Sequence, residues 1–174
     1  MNPKYRIDKD GNCVIPDGVT QIDTSAFYGE FSIKSIYIPD SVTLIGEYAF
    51  YCCRNLSKIR LSKNLKRIWG NVFSGCWALK EIEIPESVVS IGSRAFCGCQ
   101  GLRELHLPSN IQSIERYAFW MCNGLKRVYI PDGTQHIGDG AFWQCDALVD
   151  VRLPVETKHI GYRAFPISLG ILSK

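Results

Sequence analysis

Apolar and polar positions along the chain recur with a single step. Phe27, Phe50, Phe73, Phe96, Phe119, Phe142 and Phe165 stand twenty-three residues apart, with no insertion or deletion between them. The same step carries an isoleucine five residues before each Phe, from Ile22 to Ile160, and Ala or Val immediately before it. Six, nine and eleven residues after the Phe come further apolar positions, as in Leu79, Ile82 and Ile84. The alternation around Ile82 and Ile84 predicts a short strand with both pointing inward and Glu83 outward. Pro85, like Pro16, Pro39, Pro108, Pro131 and Pro154, ends that strand because proline has no amide to donate; Ser62 is the exception. A second extended piece, residues 88–91, buries Val88 and Ile91. Residues 93–99 are too few for an independent helix, so one helical or 3₁₀ turn held by Phe96 is expected there.

One such turn of chain has an apolar side that it cannot bury alone, and stacking on the next turn removes that side from water. Strands from successive turns should form one long parallel sheet with rungs about 4.8 Å apart. A period between twenty and twenty-nine residues with this apolar core is the sequence form of a leucine-rich-repeat solenoid. The expected fold is therefore an α/β solenoid, with a parallel sheet on one face and short 3₁₀ or helical turns on the other side. It forms a single domain over residues 1–174. Residues 1–15 carry an Asp10-Gly11 turn between two strand-like pieces and read as an N-terminal hairpin cap. Residues 16–165 are the stacked repeats, and 166–174 a short C-terminal cap. The rung around Val151 and Leu153 is expected to be partly bare, so that the tail is either a minimal cap or an edge awaiting a partner.

The motif LxxIxIPxxVxxIGxxAFxxC, cleanest over residues 79–99, resembles the BspA-like bacterial class of leucine-rich repeats, and the resemblance covers residues 13–165. It implies a solenoid scaffold, in proteins that are mostly at the surface or secreted and act in adhesion. It implies no shared catalytic or ligand set.

Composition narrows the function classes. An apolar fraction of 46% and a charged fraction of 21% describe a folded chain. A formal charge of +3 gives no reason to expect a nucleic-acid partner, and no apolar run is long enough for membrane insertion. The first residues lead into a polar stretch instead of an apolar one, so no secretory signal is read there.

Cys53, Cys76, Cys99, Cys122 and Cys145 lie three residues after their Phe, an inward position where a small side chain with a weak donor suits packing against backbone. Spread along a line, they do not converge on a metal, and their parallel side chains suit disulfides poorly. Cys13, Cys52 and Cys97 are the expected reactive thiols. His106, on the open strand face, and His136 and His159, one repeat apart, have no partner at a spacing that forms a triad, so no enzyme and no cofactor is expected.

The outward strand positions are the candidate binding surface. Ten residues after each Phe come Tyr37, Arg60, Glu83, His106, Tyr129 and Arg152; two positions earlier the column includes Lys58 and Arg127. Tyr and Arg are enriched at protein interfaces, and the alternation of charge argues against a phosphate track. The expectation is a noncatalytic protein-binding module, with adhesion as its setting and no partner identity. The alternatives are a structural role with self-association through the C-terminal end, and carbohydrate binding through Trp120 and Trp143.

Overall fold

The computed structural model describes residues 5–155 and 157–171; the outermost residues of both proposed caps, 1–4 and 172–174, lie outside the described residues. In chain order the strands are β1 (Arg6–Ile7), β2 (Asn12–Val14), β3 (Gln21–Ile22), β4 (Ser35–Tyr37), β5 (Leu44–Ile45), β6 (Lys58–Arg60) and β7 (Arg67–Ile68). They continue as β8 (Ser90–Ile91), β9 (Glu104–His106), β10 (Ser113–Ile114), β11 (Arg127–Tyr129), β12 (His136–Ile137), β13 (Asp150–Arg152) and β14 (His159–Ile160). β1 pairs antiparallel with β2, and every other pairing is parallel and shifted by twenty-three residues, as in Tyr37 beside Arg60. The chain is a leucine-rich-repeat solenoid.

The strands make two ladders on different sides of the coil. The longer strands carry the expected LxxIxI positions, with Leu105 and Val128 buried between exposed neighbours and Ile36 between half-buried Ser35 and exposed Tyr37. The shorter strands bury the isoleucine five residues before each Phe. The first ladder is not continuous as expected: it runs β1-β2-β4-β6, then resumes as β9-β11-β13. Residues 81–84 lie between these segments without strand pairing, although Ile82 and Ile84 remain buried. Among the described residues, their amides donate no main-chain hydrogen bond. The break falls where Glu81 stands next to Glu104 in register, and like charges on adjacent rungs weaken pairing.

The turns around each Phe hold the stack together. Phe50, Phe73, Phe96, Phe119 and Phe142 are fully buried, and successive rings lie 5.0–5.4 Å apart along the column from Phe27 to Phe165. Tyr5 closes the first end of the column, 4.9 Å from Phe27. The backbone here is tighter than a helix. In residues 23–30, three i→i−3 hydrogen bonds follow one another, from Ala26 to Asp23, Tyr28 to Ser25 and Glu30 to Phe27. Between them the backbone turns left-handed two residues before the Phe, at Ser25, Tyr48, Asn71, Arg94, Tyr117, Gly140 and Arg163. It does so again two residues after, at Gly29, Cys52, Gly75, Gly98, Met121 and Gln144. A positive φ every four residues divides the segment into successive β-turns, so the 3₁₀-type bonds never extend into a helix. A 3₁₀ helix, Ile167–Leu169, follows the last Phe. Alternate turn amides instead donate to the next repeat, as Phe73 does to Ala95 at 2.8 Å.

Small residues let these turns approach. A Cβ on Gly138 would sit 2.6 Å from the Arg116 amide nitrogen, so close packing, not an unusual φ, explains this glycine. Each ladder cysteine donates its thiol to a Phe carbonyl of the preceding repeat, at 3.0 Å for Cys53 to Phe27 and 3.3 Å for Cys99 to Phe73. Burial pushes the Cys53 thiol up to about 12, and that of Cys76 well above its ordinary range. All eight cysteines are free thiols. Cys52 and Cys97 are half-buried, whereas Cys13 is buried as the register partner of Ile36, which removes it from the expected reactive set. Ser62, where other repeats have proline, is buried with its hydroxyl donating to the Val42 carbonyl at 2.5 Å.

Because each Phe is packed by two neighbours, Phe96→Ala is expected to cost about 3–5 kcal/mol and to loosen the flanking repeats. Urea unfolding, with tryptophan fluorescence and circular dichroism followed separately, measures the loss; a change under about 1 kcal/mol would contradict the packing described.

Candidate functional site

A groove of about 1000 Å³ lies along the N-terminal part of the first ladder. It is lined by residues of β2, β4 and β6, by the unpaired stretch 81–84 and by the chain around His106 to Pro108. Of the residues singled out from the sequence, Tyr37, Lys58, Arg60, Glu83 and His106 line it together. Arg127, Tyr129 and Arg152 lie farther along the same face on β11 and β13. The groove also includes Lys63 and Glu86, which follow the strands and stood outside the two columns.

The arginines are held, not extended freely. Arg60 Nη1 donates to the Ile38 carbonyl at 2.8 Å, Nη2 donates to Asp40 Oδ2 at 3.0 Å, and the guanidinium lies 4.8 Å from the Tyr37 ring centre. Arg152 repeats this cation–π contact over Tyr129 at 4.8 Å. The twenty-three-residue register produces both pairs, since Tyr precedes Arg by one repeat each time. A hydrogen bond from Arg60, aided by the Lys63 amide, holds the Asp40 carboxyl below its usual range. Glu104 is turned toward Arg127, in a close ion pair, and lies 3.9 Å from the exposed His106. Among the described residues, Glu81 and Glu83 make no salt bridge, although the Glu83 charge acts on Arg60 through space, and both carboxylates line the groove beside the unpaired amides of 81–84.

The remaining candidates form packed arrays. Trp120 and Trp143 stack at 6.1 Å between ring centres and 10° between planes, and Trp120 Nε1 donates to Gln144 Oε1 at 2.6 Å. Tyr117 tilts against both indoles. Arg54 lies 4.2 Å from the Trp77 ring centre and 5.5 Å from that of Phe31. His136 and His159 stack at 4.7 Å. Among the described residues, no group of three or more His, Cys, Asp or Glu side chains could hold a metal ion, and no helix is long and apolar enough to cross a membrane.

With this geometry in view, comparison with known proteins is informative. A family model described as the BspA type leucine rich repeat region matches six copies, over residues 9–88 and 68–171. The chain belongs to the BspA-type leucine-rich-repeat family. A leucine-rich repeat protein from T. pallidum, TpLRR, is similar in structure, with 30% identity and a TM-score of 0.79 over 91% of this chain and 81% of that one. One from Bacteroides ovatus has 29% identity and a TM-score of 0.74, over 88% of this chain and 46% of that one. A leucine rich cell surface protein from Faecalibacterium prausnitzii has 29% identity and a TM-score of 0.58, over 85% of this chain and 37% of that one. The BspA-type chain thus spans less than half the length of the latter two. Among curated proteins, no sequence matches it. Leucine-rich-repeat solenoids often mediate protein–protein interaction or adhesion and are typically noncatalytic.

The held geometry of Arg60 gives a direct test. Asp40 is expected to titrate below the ordinary 3.8, so its contribution to stability is present above that pH and fades as acidification protonates the folded carboxylate. NMR titration of the carboxyl carbon should show the low midpoint in the native protein and its return toward 3.8 in Arg60→Ala. An unchanged midpoint would break the assigned link.

Proposed function

We propose that the chain is a noncatalytic protein-binding module and that its binding surface is the outward face of the first strand ladder. The groove of about 1000 Å³, lined by Tyr37, Lys58, Arg60, Glu83 and His106, is the observation that carries this reading. Aromatic rings and a pre-positioned guanidinium present contact area at low entropic cost, because Arg60 and Tyr37 already hold each other. The unpaired amides at 81–84 and the carboxylates of Glu81 and Glu83 add directional groups to the groove. Tyr129, Arg152 and Arg127 extend the surface along β11 and β13. The mixed sign of the strip favours recognition by shape and paired contacts over bulk charge. The Faecalibacterium relative, described as a cell surface protein, supports adhesion as the setting.

The Trp120–Trp143 pair is less suited to a sugar ring. The two indoles are half-buried and stack on each other, so their facing surfaces are already used.

The test is affinity capture of partners from the source cells and medium, followed by calorimetric titration of the partner obtained. Tyr37→Ala and Tyr129→Ala are each expected to weaken binding by about 1 kcal/mol or more, with melting behaviour unchanged. Lys66→Ala, beside β7 in the other ladder, should leave the affinity as it is, and added salt should weaken it only modestly. Full affinity in both tyrosine variants would reject this surface, and selective loss in Trp143→Ala would move it to the turn edge.

A further inference from the structure

The second ladder brings two imidazoles together. His136 on β12 and His159 on β14 are register partners, with ring centres 4.7 Å apart and planes 7° from parallel. The equivalent places in the earlier repeats hold Gln21, Leu44, Arg67, Ser90 and Ser113, so the pair does not belong to the scaffold pattern. Both rings are within reach of solvent, His159 exposed and His136 half-buried. Among the described residues, neither ring takes part in a side-chain hydrogen bond or an ion pair. A neutral imidazole carries a lone pair on one of its nitrogens, so the pair presents two uncommitted nitrogen donors side by side.

The backbone beneath the rings is fixed. The His159 amide donates to the Gln135 carbonyl at 3.1 Å and the Gly161 amide to the Ile137 carbonyl at 2.7 Å, while Ile137 and Ile160 anchor both strands in the core. The solenoid therefore sets the spacing of the pair. Lys158 Nζ donates to Gln135 Oε1 at 3.3 Å, and Asp139 Oδ1 accepts from the Tyr162 amide at 2.8 Å, so each of these neighbouring charges already has a partner. His106 is the contrast, with Tyr129 and Glu83 on either side in its column and Glu104 at 3.9 Å.

We propose that His136 and His159 together bind one divalent transition-metal ion, of the class of Ni²⁺, Cu²⁺ and Zn²⁺, with water completing its coordination. Imidazole nitrogen suits these ions, whereas Mg²⁺ and Ca²⁺ take oxygen ligands. Two nitrogens bound to one metal at about 2.0–2.1 Å each stand roughly 3 Å apart. Closing the 4.7 Å between the rings to that spacing takes a lean of about 1 Å by each, a small rotation for side chains that reach solvent. The strands hold the second nitrogen beside the first, so its binding costs little further ordering. With two protein ligands the site is open, and weaker than a closed centre of four. It lies on the second ladder, away from the groove, and stands independently of whether the groove binds a partner.

Calorimetric titration of the 174-residue chain with Ni²⁺ in a buffer that does not bind metal is the test. One ion per chain is expected, and Mg²⁺ or Ca²⁺ should give no heat of binding. His136→Ser and His159→Ser install the residue that Ser90 and Ser113 already supply at this place, so both variants should fold, as circular dichroism verifies. Each should raise the dissociation constant about tenfold or more, because either change leaves a single nitrogen. His106→Ser, and Cys52→Ser together with Cys97→Ser, should leave it unchanged. In a two-dimensional NMR spectrum of the histidine rings, paramagnetic Ni²⁺ should broaden His136 and His159 together, and before His106. No binding up to about 1 mM Ni²⁺ overturns the proposal, as does binding that survives both pair variants or follows His106 or the two cysteines. Loss in one pair variant alone, or broadening of one ring alone, overturns the shared site.

Discussion

The structure depends on the stacking of one buried ring on the next at a fixed step. A single repeat of twenty-three residues cannot enclose a phenyl ring, but two neighbours can, and the rings from Phe27 to Phe165 lie in one column at 5.0–5.4 Å. That spacing forces the backbone on the turn side to match the rise of the strands on the other. The left-handed residues before and after each Phe meet this constraint, since they return the chain within a few residues and aim alternate amides along the stack. The thiols of the cysteine ladder complete the turn side by donating to buried carbonyls that would otherwise have fewer partners.

With the turns carrying the stack, the first strand ladder is free to vary. It can lose a rung at residues 81–84 without exposing Ile82 or Ile84, because their side chains remain in the core that the turns hold. The same residues place Glu81 and Glu83 in the groove. Scaffold and surface are therefore separate assignments of one repeat: inward positions are nearly invariant down the columns, while outward ones change from Tyr to Arg to Glu to His. Recognition by such a face follows from which side chains adjoin across the register, as the Tyr37–Arg60 and Tyr129–Arg152 contacts illustrate.

The columns of Phe, Ile and Leu were legible because burial repeats at the period of the coil, and that period is visible without any structure. The stacking of Trp120 on Trp143 and the adjacency of Tyr37 and Arg60 were legible for the same reason. The turn backbone was not. Its left-handed positions hold Ser25, Tyr48 and Arg94, residue types that rarely adopt positive φ, and only Gly29, Gly75, Gly98, Gly140 and Asn71 hinted at it. The missing rung was hidden too, since residues 79–84 match the repeat pattern as well as any others; the one signal was Glu81 beside Glu104. Lys63 and Glu86 were overlooked as groove residues because they follow the strands and escape the alternation that identifies strand faces.

The central claim is that the Phe turns, more than the strands, are the continuous spine of the molecule. Hydrogen exchange followed residue by residue in the native protein tests it most directly. The amides of Phe50, Phe73, Phe96 and Phe119, each bonded to the next repeat, should exchange near the rate of global unfolding. The amides of residues 81–84 should exchange far faster although two of their side chains are buried. Equal protection of residues 81–84 and the turn amides, or early exchange of the turn amides, would contradict the account.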